Sequence, residues 1–292
     1  MHEIELPGGV TRYWDYLPES GGAAADAAGA GVLVAVHGFR GDHHGLEPVV
    51  GNLPGRRVIM PDLPGFGASE AFGDRAHDIT GYAAWLGEFL AALELDGPVT
   101  LLGHSFGSIV VSAALAEGLA GASAAILVNP IGAPALSGPK AVGTGAAILY
   151  YRAARDLPAS AGNALLRNPA IVRAMSAMMA TTREPALRRW IHGQHDAYFS
   201  RFADRDSLLE SFTASVSHDV SEYAARIGVP VLLVAAAQDQ ITPLAAERRL
   251  ATVFPDARLE VIDGVGHLIH YEKPAEAASF IESFLRDRVD AR

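Results

Sequence analysis

The sequence predicts an α/β fold: a mostly parallel central sheet with helices on both faces, and a block of helices inserted between the two halves of the core. Three observations predict it. Short apolar, β-branched runs alternate with helical patterning from Ala30 to Val128, and strands that alternate with helices must be joined by crossovers, which makes the sheet parallel. The same rhythm returns from Val229 to Arg286. Between Pro130 and Ile227 it stops, and nearly a hundred residues carry helical periodicity with no β-rich run. The core is therefore read as residues 1–130 and 228–292, with 131–227 as an inserted helical cap.

Each element has its own signal. Ala30 to Val36 ends at His37-Gly38, and Arg57 to Met60 ends at Pro61-Asp62-Leu63-Pro64-Gly65; both are expected as strands feeding loops. From Thr80 to Leu95, Tyr82, Trp85, Leu86, Phe89, Leu90 and Leu93 recur at helical spacing, and Pro98 to Leu102 follows as a strand. Ser105 to Leu119 reads as a helix and Ala124 to Val128 as a strand. Four helical stretches are expected in the insertion: Val142 to Arg155, Ala170 to Ala180, Glu184 to Phe202 and Ser207 to Val216. Pro139, Pro158, Pro169 and Pro185 separate them, since proline interrupts a helix interior. Strands Val229 to Ala235 and Arg258 to Ile262 then alternate with helices Leu244 to Val253 and Ala275 to Arg286. Gly21 to Gly29, rich in Ala and Gly, reads as a surface turn rather than a linker, and no repeat of fixed period is present.

Composition narrows the function. The 292 residues are 50% apolar, 19% charged and 8% aromatic, the profile of an ordinary globular chain. Lys plus Arg at 23 against Asp plus Glu at 33 leaves a net charge of −10, which repels phosphate backbones and anionic lipid heads. Nucleic acid is not an expected partner, nor is a stable membrane association; a small-molecule substrate is, and a homodimer stays open. Without cysteine the chain has no disulfide, thiolate nucleophile or Cys-ligated zinc, so covalent chemistry falls to a serine or a carboxylate. Met1 to Glu5 lacks the start of a signal peptide and no run of eighteen apolar residues occurs, so a cytoplasmic location is expected.

Gly103-His104-Ser105-Phe106-Gly107 fits Gly-x-Ser-x-Gly, and its context gives the pattern weight. It follows Val99-Thr100-Leu101-Leu102 directly and opens a helix at Ser108-Ile109-Val110-Val111. That is the strand, tight turn and helix of a nucleophile elbow, with glycines allowing close approach and the serine hydroxyl exposed. The Phe106 amide then lies at a helix N-terminus, where it favours a developing oxyanion. A serine hydroxyl is a weak nucleophile and needs a base, itself oriented by a third group. Asp239, in the loop after Val231 to Ala235, and His267, after Gly264-Val265-Gly266, stand at the C-terminal ends of later strands, where parallel sheets place their sites.

Here the chain resembles the α/β-hydrolase superfamily, whose triad runs Ser, acid, His. His37-Gly38-Phe39 looks like its oxyanion loop and Asp62 to Ser69 like its next signature; the elbow, the Asp239 segment and Gly266-His267 through Glu272-Lys273-Pro274 follow in order. The resemblance implies Ser105 as nucleophile, His267 as general base and acid, Asp239 as orienting carboxylate, and the Phe39 and Phe106 amides as the oxyanion hole. It implies no organic cofactor and no metal. The serine nucleophile argues against the haloalkane dehalogenase and epoxide hydrolase branches, which use aspartate there. A carboxylic ester hydrolase is the expected activity. Carbon–carbon bond hydrolases of ring-cleavage products share the cap and triad, but usually carry tryptophan after the histidine, where this chain has Leu268. A slow-turnover ligand receptor on the same fold is the non-enzymatic alternative.

Other residues have blander readings beside the functional ones. His270 competes with His267 as the base, and the Gly-x-Gly-His turn favours the earlier residue. An acid after Ala124 to Val128 would compete with Asp239, but that strand ends in Asn129-Pro130. Asp62 is expected to hold loop amides, His37 to pack under the oxyanion loop and His104 to pack structurally. Asp42-His43-His44 suggests a metal, but adjacent side chains are expected to diverge. Met175, Met178 and Met179 form a helical stripe, either core of the cap or a pliable pocket wall. Trp190 is expected as the one buried aromatic of a solvated Arg188-Arg189-Trp190 face, and with Leu268 completes the candidate substrate pocket.

Overall fold

The computed structural model describes residues 1–18, 31–134 and 141–291, without the side chains of 141–144. The expected turn at Gly21 to Gly29 and the separator Pro139 lie outside the described residues. Eight strands form one sheet: β1 (His2–Leu6), β2 (Gly9–Tyr16), β3 (Val32–Val36), β4 (Val58–Pro61), β5 (Val99–His104), β6 (Ala122–Val128), β7 (Val231–Ala236) and β8 (Ala257–Ile262). Their spatial order is β1-β2-β4-β3-β5-β6-β7-β8. β2 is antiparallel to both its neighbours, and every later pair is parallel. The sequence pattern does not single out the β1–β2 hairpin. At the sheet edge its strands are mostly half-buried or exposed, so they lack the unbroken apolar run that marks the inner strands.

Those inner strands are apolar throughout because both faces are covered. Val32, Val34 and Val36 of β3 enter one core cluster and Leu33 and Ala35 the other; Leu101 and Leu102 of β5 divide the same way, as do Leu233 and Leu232 of β7. This is the period of two expected of a strand. Helices α1 (Glu47–Val50), α2 (Ile79–Ala92) and α3 (Phe106–Ala116) precede the insertion. The first cluster takes Trp85, Leu86 and Phe89 of α2 and Ile109 and Val110 of α3. Residues 106–115 of α3 are buried on every side, since α2 packs against α3 as well as the sheet.

Between β6 and β7 lie α4 (Ala141–Asp156), α5 (Ala159–Leu166), α6 (Pro169–Met179), α7 (Pro185–Tyr198) and α8 (Arg205–Ser217). Four match the expected stretches within a few residues. α5 is additional, eight residues with no strong periodicity. Asn168 and Glu184 accept from the amides of the first turns of α6 and α7, with proline at the first helical position of each. Among the places where the insertion meets the core, the Gly67 amide donates to Arg201 O at 2.8 Å, the Ala203 amide to Gly65 O at 2.9 Å and the Thr181 amide to Glu272 at 2.7 Å. Among the described residues no helix is long and apolar enough to cross a membrane.

α9 (Leu244–Ala251), α10 (Ile269–Glu272) and α11 (Pro274–Arg288) complete the chain. α11 supplies Ile281, Phe284 and Leu285 to the second cluster, on the face opposite α2 and α3. Phe284 is fully buried. Phe284→Ala should therefore lower stability by about 3–5 kcal/mol in urea unfolding. A cost under about 1 kcal/mol would mean that α11 is not part of the core.

Candidate active site

The strand order contains a switch. From β3 the chain moves to β4 on one side, then crosses to β5 on the other, and at such a point the loops leaving adjacent strands diverge and open a crevice. Val36 pairs with Gly103 in register. His37-Gly38-Phe39 and Ser105 therefore leave the sheet side by side at its C-terminal edge.

Ser105 is the hinge between β5 and α3, with φ 52° and ψ −117°. The residues two places to either side have to be glycine. A Cβ on Gly103 would stand 2.5 Å from Gly107 O, and one on Gly107 would stand 2.3 Å from Val36 O and 2.6 Å from His37 O. A Cβ on Gly38 would come 3.2 Å from the Ser105 Cβ, so the loop after β3 lies directly against the serine.

Ser105 Oγ is 2.8 Å from His267 Nε2, and His267 Nδ1 is 2.8 Å from Asp239 Oδ2. Both partners arrive at neighbouring strand ends, because Ala236 of β7 pairs with Ile262 of β8. Asp239 Oδ2 also accepts from Asn129 Nδ2 at 2.9 Å, and Oδ1 accepts from the amides of Ile241 at 2.6 Å and Thr242 at 3.1 Å. Burial opposes ionisation of this carboxyl, but the facing His267 and the two amides outweigh it and hold Asp239 below the ordinary carboxylate range. An ionised Asp239 fixes the proton of His267 on Nδ1. Nε2 is left with its lone pair toward the serine hydroxyl.

Two amides flank the serine. That of Phe106 is the first of α3, and that of Phe39 belongs to the peptide unit whose carbonyl is Gly38 O. Among the described residues neither donates to a protein acceptor. The Gly38 carbonyl accepts from the Gly41 amide at 3.1 Å and from His37 Nδ1 at 2.8 Å. His37 Nε2 accepts the Leu63 amide at 2.9 Å, so its proton sits on Nδ1. Burial lowers the His37 pKa and keeps the ring neutral in that role.

The remaining expectations divide. Asp62 does hold a loop: it accepts from the His43 amide and Nδ1, both at 2.8 Å, and from the Ala68 amide at 2.8 Å. Asp42, His43 and His44 do not diverge, because a 3-10 turn at His43–Gly45 brings one ligand-type atom of each within 4.8 Å of the others. His43 Nδ1 is engaged by Asp62 and His44 Nδ1 by Asp42, and the two rings stack on Trp14 and Tyr198. His270 is buried behind the site, its ring 4.1 Å from that of His104.

The methionine stripe is corrected in part. The buried face of α6 runs through Val172 and Ser176, leaving Met178 about 140° from its middle and 66% exposed, and Met175 partly buried. Met179 packs with Ile191, Leu268 and Tyr271 beside His267. Trp190 is 41% exposed rather than buried, because α7 turns Ile191 and His195 inward. A separate cavity of about 570 Å³ lies between α4 and α8, walled by Tyr151, Phe212, Ile148 and Leu209 among others. The Tyr151 and Phe212 rings both touch that of Phe39, with centroids 5.9 Å away.

Two polar residues escape a reading of the sequence. Asn129 is found where a competing acid was sought, and it donates to Asp239 instead. Glu247, on α9, is buried with neither oxygen hydrogen-bonded among the described residues.

A family model described as the alpha/beta hydrolase fold matches residues 31–274. The chain belongs to that family. It is 27% identical over 259 residues to the magnesium-chelatase 30 kDa subunit of Rhodobacter capsulatus, covering 82% of this chain and 81% of that protein. It is 33% identical over 86 residues to a putative carbamate hydrolase RutD of Pseudomonas syringae pv. syringae, a stretch covering 30% of this chain and only 33% of that protein. Among solved structures, a thermophilic esterase from Thermogutta terrifontis superposes with a TM-score of 0.75 at 20% identity, covering 98% of this chain and 99% of that one.

Burial first, and the negative charge of Asp239 second, push the Glu247 pKa up to about 9. Between the ordinary carboxylate value and about 9 the native state holds a proton that the unfolded chain has lost. Native stability is thus drained as pH rises, by up to about 1.4 kcal/mol per pH unit from this group. Urea unfolding at several pH values should show this fall in the parent and a flatter curve in Glu247→Gln. Equal slopes would mean that Glu247 is ionised in the native state.

Proposed function

We propose that the chain is a serine hydrolase of small or medium carboxylic esters, a carboxylesterase in its chemistry, with Ser105 as nucleophile. The observation that carries this is the unbroken hydrogen-bonded line from Ser105 Oγ through His267 to Asp239, both links 2.8 Å long. His267 Nε2 takes the hydroxyl proton as Oγ adds to the ester carbonyl, and Asp239 stabilises the imidazolium without becoming protonated. The tetrahedral oxyanion is held by the Phe106 and Phe39 amides, the first reinforced by the N-terminus of α3. His267 then protonates the departing alkoxide and draws a proton from the water that releases the acid. Every step uses groups of this chain. Esterases and lipases among its structural and sequence neighbours support the reading.

Residues 131–227 act as the cap in this reading and set acyl selectivity. Two apolar walls are available to the acyl group: Met179 with Leu268 beside His267, and the Tyr151 and Phe212 rings behind Phe39.

Fluorophosphonate labelling followed by a panel of p-nitrophenyl esters tests the chemistry. Ser105→Ala should abolish labelling and cut turnover by several powers of ten while the fold persists. His267→Ala should do the same to turnover, whereas His270→Ala should keep most of it; normal turnover by folded Ser105→Ala would overturn the proposal. For selectivity, Phe212→Ala and Met179→Ala should each change the long-to-short acyl ratio in kcat/KM, by about fourfold for each methylene of pocket gained. Exposed Met178→Ala should leave that ratio alone.

A further inference from the structure

Arg40 is a cation in an unusual place. It follows Phe39 directly and is 1% exposed, yet among the described residues its acceptors include no carboxylate. Nε donates to Phe199 O at 3.0 Å, one terminal nitrogen to Leu166 O at 2.7 Å and the other to the Tyr151 hydroxyl at 3.2 Å. Leu166 ends α5 and Phe199 caps the C-terminus of α7. The last carbonyls of a helix have no partner within it and carry partial negative charge. The guanidinium therefore closes two helix ends of the insertion at once, its charge balanced by their dipoles. The Phe199 and Phe202 rings lie 5.3 and 5.5 Å from it and shut out water.

The backbone of Arg40 is as constrained as its side chain. Its φ is 61°, a left-handed value that an arginine adopts only where its surroundings hold it. With Phe39 it occupies the centre of the turn closed by the Gly41 amide on Gly38 O. Gly38 C=O and Phe39 N–H belong to one planar peptide unit. Whatever keeps that turn closed also aims the Phe39 amide.

We propose that Arg40 is a positioning residue that couples the seat of the cap to the aim of the Phe39 amide at the reacting carbonyl. This rests on the ester-hydrolase reading above. The cap's helix ends hold the guanidinium, the guanidinium holds the left-handed backbone of Arg40, and the closed turn fixes the peptide plane. A cap lifted from the core would release the turn, and an oxyanion donor would be lost along with the roof of the site.

The test uses p-nitrophenyl acetate, whose acyl group is too short to depend on a cap pocket. Arg40→Met should lower kcat about 10- to 100-fold, as a misdirected oxyanion donor does, with KM within about twofold. Affinity for a trifluoromethyl ketone, which presents the oxyanion, should fall in proportion. Tyr151→Phe keeps the ring and removes one acceptor, and should lower kcat by about threefold to tenfold with KM unchanged. Arg40→Lys should not restore the rate, because one ammonium cannot meet three separated acceptors. Full kcat in folded Arg40→Met, or a change confined to KM for long acyl esters, would overturn the proposal. Should Arg40→Met not fold, full kcat in Tyr151→Phe would overturn it equally. A parent chain that fluorophosphonate does not label would instead remove the ester-hydrolase reading, and this proposal with it.

Discussion

The site depends on one steric constraint, the crossing of two backbones at Gly107. The end of β3 passes so close to the first turn of α3 that the carbonyls of Val36 and His37 occupy the space a side chain would need. That approach sets Gly38 against Ser105 and forces the chain to turn from strand to helix within a single residue. The strain is concentrated at Ser105, whose positive φ is held by the sheet on one side and a fully buried helix on the other. A serine displayed in this way owes its backbone position to packing on both faces of the sheet.

Around that crossing the structure handles two buried carboxyls in opposite ways. Asp239 is met by four donors and is ionised. Glu247 is at least as buried, has the Gly132 amide beside it but no such set of donors, and faces the charge of Asp239, so it stays protonated. A second ionised group beside Asp239 would compete for the positive charge that His267 develops. With Glu247 neutral, α9 adds no second charge beside Asp239, and Asn129 supplies a neutral donor where a further carboxylate would have repelled it.

Much of this was legible in the chain before any coordinates. The inner strands could be read because burial on both faces makes them apolar throughout, and the elbow because glycine, serine and glycine fall between such a strand and a helix. Asp239 and His267 could be located because parallel sheets expose their C-terminal ends together. The β1–β2 hairpin was hidden, since an edge strand need not be apolar. The pocket residues misled for a different reason. A stripe of methionines fixes a spacing but not the angle at which α6 meets the core, and a rotation of about 140° separates the face of buried Val172 and Ser176 from exposed Met178. Asn129 and Glu247 gave no signal because their roles arise only where the end of β6 and α9 approach the Asp239 loop in the fold. Arg40 carries no mark in the sequence, because the carbonyls that accept from it stand at helix ends far along the chain.

The order in which the site's parts occur along the chain bears on its biosynthesis. The serine and both flanking amides lie within residues 39–106, while Asp239 and His267 follow the insertion. A ribosome that has just completed β6 has made Ser105 without Asp239 or His267. In the proposed mechanism such a chain would hold a hydroxyl with no base beside it, however well its first strands have paired. Under the proposed chemistry the base joins the serine only once β7 and β8 have added to the sheet edge.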